Sequence, residues 1–147
     1  MKNQVEIKNG ILIFVGIGIF FLLMDLFGLA DKNYLRILNA FIVLFGIWKT
    51  VKSNYANGTT GYLENLISCF KTGIIGVVLG IIGLIVFVYI KGGESYLATL
   101  ADTFFFTGKT NLVKYCAVLL FEGVASSLIG SFAIMQYWKD VPAVSKH

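Results

Sequence analysis

Four apolar runs alternate along the chain with short polar, turn-rich stretches. Ile11 to Ala30 carries one charge, Asp25, and Thr72 to Ile90 carries none. Leu112 to Trp138 carries Lys114 near its start and Glu122 near its middle. A helix needs about 20 apolar residues to cross the hydrocarbon core of a bilayer, and these three runs are long enough. The fourth run, Tyr34 to Val51, is shorter. Its core, Ile37 to Trp48, is broken by Asn39, and Arg36, Lys49 and Lys52 flank it with stems that can snorkel to the headgroups. The pattern predicts an all-α membrane protein, a single domain over 1–147. Its four transmembrane helices form a bundle, with spans at about 11–30, 34–51, 66–90 and 112–138.

Two further segments have their own periodicity. After the Asn57-Gly58 turn, Tyr62, Leu63, Leu66, Ile67 and Phe70 recur at helical spacing, with Glu64, Asn65 and Lys71 elsewhere around the wheel. This predicts an amphipathic interfacial lead-in over about 60–71, before the third span. Phe104-Phe105-Phe106 makes the next loop too apolar for a solvated linker, and predicts a second interfacial segment over about 94–107. A partner-docking site or lid is the functional alternative for that loop. Lys2 and Lys8 ahead of the first run, with Gly28-Leu29-Ala30 behind it, have the outline of a signal peptide. Asp25 and Phe27 in the cleavage region, and the length of the run, favour a transmembrane helix.

Composition agrees with this class. Of 147 residues 57% are hydrophobic and 14% charged, with a mean hydropathy of +0.81, against about 25% charged in a soluble domain. The net charge of +4 comes from basic residues scattered singly, with no basic patch and interleaved aromatics, which argues against nucleic acid. In a four-span topology Lys2, Lys8, Lys49, Lys52, Lys71, Lys139 and Lys146 share one side. Lys32, Arg36, Lys91, Lys109 and Lys114 share the other. The bias places both termini in the cytoplasm.

Several chemistries are argued down. The only histidine is His147, the last residue, so a histidine-based metal or haem site within the spans is not expected. Cys69 and Cys116 begin the third and fourth spans, near opposite surfaces, and should not pair. No Walker loop, HExxH, GxSxG or paired Asp motif is present. The expectation is no enzyme, no cofactor and no metal.

Small residues and buried polar groups carry the remaining signal. Gly73, Gly76, Gly80 and Gly83 fall on one face of the third span, and Ser126, Gly130 and Ala133 on one face of the fourth. Such faces let helix backbones approach closely, so they predict packing of the third helix on the fourth, or of either on another chain. Glu122 shares the small face of its helix. An ionisable group there costs roughly 2.5–3.5 kcal/mol on insertion scales and calls for a partner or a purpose. In the four-span topology Asp25, Asn39 and Glu122 fall in one leaflet, and Arg36 is three residues from Asn39. The four form a candidate buried polar cluster with Arg36 as counter-charge. Desolvation would raise the carboxyl pKa values and the guanidinium would lower them, so protonation stays open.

The middle third also resembles an uncharacterised family of small bacterial four-helix integral membrane proteins. The second span ends in Phe45-Gly46-Ile47 and a basic stretch; a Gly-Thr-Thr-Gly-Tyr turn follows at Gly58 to Tyr62, then an entry ending in Phe70-Lys71-Thr72-Gly73. The resemblance implies the four-span fold and a bacterial inner membrane, with no activity and no functional residues to carry over. The expected function is an accessory or scaffold subunit of a larger membrane complex, acting through the small-residue faces. The alternative is an oligomeric ion- or proton-coupled small transporter or channel built on Glu122 and Asp25. The lipid bilayer is the expected partner in both.

Overall fold

A computed structural model of the chain describes residues 2–29, 32–101 and 111–141, and every regular element among them is α-helical. The helices are α1 (Lys2–Leu26), α2 (Asn33–Ala56), α3 (Tyr62–Lys91), the short α4 (Glu94–Ala101) and α5 (Leu112–Trp138). Three of them, α1, α3 and α5, are long and apolar enough to cross a membrane, which makes this a multi-pass membrane protein in contact with lipid. The chain enters and leaves its helices through left-handed glycines. Leu29 N–H donates to Met24 O at 2.7 Å past Gly28, Thr59 N–H to Asn54 O at 2.9 Å past Gly58, and Gly93 N–H to Val88 O at 2.8 Å past Gly92. Each satisfies a carbonyl that the helix end would leave orphaned. At the start of α5 the Asn111 side chain accepts from Lys114 N–H at 2.9 Å and caps the helix.

Helix α3 is the centre of the bundle, packed on α1, α2 and α5, while α2 also packs on α1 and α5. Among the described residues α1 and α5 do not pack on each other. The start of α1, the end of α2, the start of α3 and the end of α5 meet at one end of the bundle, as the Asn9–Thr50–Thr72 contacts and the Tyr55 hydroxyl on Trp138 O show. We call this the termini end. The opposite end joins the end of α1 to the end of α3 and to α4.

Polar side chains face inward and apolar ones outward. Glu6, Asn9, Thr50, Asn54, Asn65, Ser68, Thr72, Ser127 and Ser131 are buried, whereas Ile19, Leu23, Phe41, Ile67, Ile82, Phe121 and Ile129 are exposed. A bilayer reverses the usual sorting, because lipid solvates apolar side chains and leaves backbone and side-chain polar groups to be satisfied within the protein. The segment over 60–71 is where this matters most. It is the first part of α3, continuous with the rest, and its polar stripe of Asn65 and Ser68 is turned into the bundle while Leu63 and Ile67 are turned out. The helical period holds there, with its two faces pointing opposite ways from a helix resting on a surface. The loop segment over 94–107 begins as α4, and its Phe104-Phe105-Phe106 lies outside the described residues.

Glycines let these helices close up, and each does so against its own neighbour. A Cβ on Gly73 would strike the Ser127 side chain of α5. On Gly76 it would lie 2.6 Å from Ile13 of α1, and on Gly83 2.8 Å from Phe14 of α1. Gly123 of α5 is covered by Val77, and Gly130 by Leu44 of α2. The α3 face expected to meet α5 is therefore divided between α5 and α1. Ser126 and Ala133 do not join it, because Ser126 lines a cavity and Ala133 is exposed. Gly80 is different, with nothing within 4 Å of an added Cβ. The two members of the Gly76–Gly80 pair should respond to alanine with opposite signs. Gly76→Ala must push the fully buried Ile13 aside and should destabilise by about 1–3 kcal/mol. Gly80→Ala should be neutral or stabilising by up to about 1 kcal/mol through helix propensity. Thermal unfolding of both variants in mild detergent checks this contrast.

Candidate functional site

Two polar sites occupy opposite halves of the bundle. At the termini end, the Asn9 side-chain amide donates to Thr50 Oγ1 at 3.0 Å, and Thr50 Oγ1 lies 3.0 Å from Thr72 Oγ1. Each hydroxyl also reaches a carbonyl of its own helix, Thr72 to Ser68 O at 2.9 Å and Thr50 to Gly46 O at 3.1 Å, so either can donate in the contact between them. Beside this chain the Asn54 amide donates to Asn65 Oδ1 and to Ser68 Oγ, both at 3.0 Å, and the Asn65 amide donates back to Thr59 O and Gly61 O at 2.9 Å. The seam ties α1, α2 and α3 together with side chains that are almost completely buried. It was not singled out in the sequence, although Thr50 and Asn54, and Asn65, Ser68 and Thr72, stand at helical spacing on single faces. Those residues flank the apolar runs, where polar side chains read as solvated.

In the other half α2 and α3 leave space between them. A cavity of about 290 Å³ is walled by all four long helices. Ile17, Phe21 and Met24 come from α1, Asn39 and Val43 from α2, Gly80 and Leu84 from α3, and Tyr115, Glu122 and Ser126 from α5. The small side chains leave it open. Gly80 lacks a neighbour at its Cβ position because it fronts this space. Tyr115 and Leu84 also belong to the apolar cluster of Val88 and Leu97, through which α4 is seated on the same half of the bundle.

Of the four residues expected to form one cluster, Asn39 and Glu122 both line this cavity. Glu122 has an exposed side chain, consistent with its position at a cavity rather than inside packed helices. Asn39 Oδ1 is buried and has no hydrogen-bond partner among the described residues. The Arg36 side chain lies outside the described residues. Asp25 is engaged elsewhere. It accepts from the Tyr96 hydroxyl at 2.8 Å and pairs with Lys91 Nζ at 3.1 Å, with its side chain 19% exposed. This latch joins α1 to the end of α3 and to α4, and Phe87 packs between its parts, 5.3 Å from the Phe21 ring and 5.7 Å from the Tyr96 ring. Neither Lys91 nor Tyr96 was expected from the sequence, since both lie at the edge of a span or in a loop. Among the described residues no group of three or more His, Cys, Asp or Glu is arranged to hold a metal ion.

Burial pushes the Tyr96 phenol above its ordinary value, and its bond to Asp25 acts in the same direction. The phenol therefore keeps its proton, and the latch its donor, through the neutral range. Its contribution to stability is fully present below the unfolded value near 10 and is lost only as pH rises through the higher folded value. The alkaline absorbance titration of the wild type minus that of Tyr96→Phe should show a midpoint above 10. A midpoint at or below that value would contradict the latch. No protein-family model, no curated protein and no solved structure matches this chain.

Proposed function

We propose that the protein is a four-span helical membrane protein of the bacterial cytoplasmic membrane, with both termini in the cytoplasm. We further propose that its cavity is the binding site of a small ion- or proton-coupled transporter or channel. The observation that carries this reading is the presence of both Glu122 and Asn39 on the wall of a cavity lined by all four long helices. A carboxylate in the apolar half of a membrane helix is costly, and a pathway or ligand site is the usual reason to retain one. Position supports it too. The hydrogen-bonded seam closes the bundle on the termini side, while α4 and the cavity lie on the other.

As a fourth span, α2 rests on length and packing. Its 24 residues extend about 36 Å at a rise of ~1.5 Å per residue. It packs on α1, α3 and α5, and its buried Thr50 and Asn54 find partners inside the bundle. The scaffold reading loses its main support, because Gly73, Gly76, Gly83 and Gly130 are covered within the chain and are not free to receive another subunit. Asp25 is held by Lys91 and Tyr96, so in this reading it positions α4 and Glu122 is the coupling group.

In liposomes loaded with a pH-sensitive dye and given an imposed membrane potential, the wild type should carry protons. Glu122→Gln should reduce the rate by about tenfold or more, as expected for loss of an essential proton-transfer group. Flux that is unchanged in Glu122→Gln removes Glu122 from the mechanism. Absence of flux in the wild type would return the argument to an accessory subunit.

A further inference from the structure

The turn between α3 and α4 differs from the other helix ends. Gly92 and Gly93 both have positive φ, +127° and +68°, whereas Gly28 and Gly58 stand singly. A Cβ added to Gly93 would have nothing within 4 Å, and one on Gly92 would meet the Ser95 hydroxyl at 3.3 Å. Two successive glycines with so little around them make a hinge, because glycine passes through backbone conformations that strain other residues. One carboxylate spans that hinge. Asp25 pairs through Oδ2 with Lys91, the last residue of α3, at 3.1 Å, and accepts on Oδ1 from the Tyr96 hydroxyl of α4 at 2.8 Å. Beyond the hinge α4 is lightly anchored. Among its described side chains Leu97 is fully buried and Tyr96 half-buried, while Glu94, Ser95, Ala98 and Thr99 are exposed.

The Leu97 anchor lies behind the cavity wall. Leu97 clusters with Val88 and Tyr115, and Phe21, Leu84 and Leu119 pack against that cluster. Tyr115, Phe21, Leu84 and Leu119 also line the cavity. Each therefore has one side on the space and another on the seat of α4. We infer that α4 is a hinged lid, held shut by Tyr96 on Asp25 and Leu97 in its seat, and that swinging it about Gly92–Gly93 lets this apolar wall part toward the α4 side. Opening breaks a charge-assisted hydrogen bond and withdraws a leucine, while the Lys91–Asp25 pair and the polar seam at the far end stay in place. Segments with so few buried apolar contacts open locally without unfolding the rest of a protein. Access through such a lid does not depend on what the cavity carries, so the proposed transport role can fail without it.

The test follows modification of Ser126→Cys, on the cavity wall, by a membrane-impermeant thiol reagent applied from the α4 side of sealed vesicles. The native Cys69 and Cys116 are replaced by alanine in the full chain. Tyr96→Phe removes the hydroxyl and keeps the ring beside Phe87, and Leu97→Ala removes the anchor. Each should raise the modification rate by about fivefold or more, the shift expected when a charge-assisted hydrogen bond or a buried leucine side chain is lost from one of two states. Ser68→Cys in the seam, carried in the same two backgrounds, should stay protected, because the lid moves without the bundle. A smaller rise for Ser126→Cys in either variant overturns the lid. Exposure of Ser68→Cys alongside it also overturns the lid, since α4 would then brace the whole bundle. Proton flux in the wild type and Glu122→Gln decides the transport role separately.

Discussion

Inside a bilayer a side-chain polar group finds partners within the protein or goes unsatisfied, and this chain gathers most of its fully buried polar residues into one seam. The seam of Asn9, Thr50, Thr72, Ser68, Asn54 and Asn65 joins three helices with hydrogen bonds of 2.9–3.1 Å and is shielded from solvent. Each such bond is worth only about 0.6 kcal/mol on average in a membrane protein. Their effect lies in register. Thr50 and Thr72 can meet only when α2 and α3 are aligned as they are, and Asn9 then fixes α1 against both. The glycine contacts follow from that alignment, since Gly76 meets Ile13 and Gly46 meets the same side chain from α2. Ile13, fully buried between them, is the point where the three helices converge.

Because the seam ties α2 to α3 at one end only, the other end is free to diverge, and the cavity occupies the divergence. Its small wall residues, Gly80 and Ser126, keep it from filling. The Asp25–Lys91–Tyr96 latch and the Leu97 contact hold α4 on the same half. A bundle tied by a polar seam at one end, with its cavity in the other half, has an asymmetry that a binding cavity with one-sided access could use. The proposed function takes its direction from that asymmetry.

The helices themselves were legible in the sequence because apolar runs of span length and left-handed glycine stops are local signals. The three long apolar helices and the turn at Asn57-Gly58 follow from them directly. What was not legible was the direction in which amphipathic faces point. Asn65 was grouped with Glu64 and Lys71 as the wet side of a surface helix, yet its partner, Asn54, belongs to another helix and is invisible to any local window. Asp25 misled in the same way. The topology put it in the same leaflet as Glu122, but it lies at the very end of α1, where Lys91 and Tyr96 hold it. Depth is readable from residue counts, whereas azimuth depends on packing with other helices.

The most direct measurement is single-cysteine accessibility in sealed vesicles, using a membrane-impermeant thiol reagent applied separately from each side. Ser126 lines the cavity and Ser68 is buried in the seam. The account predicts that Ser126→Cys is modified from the α4 side and not from the termini side, while Ser68→Cys is protected from both. Modification of Ser68→Cys from the termini side, or protection of Ser126→Cys from both sides, would contradict it.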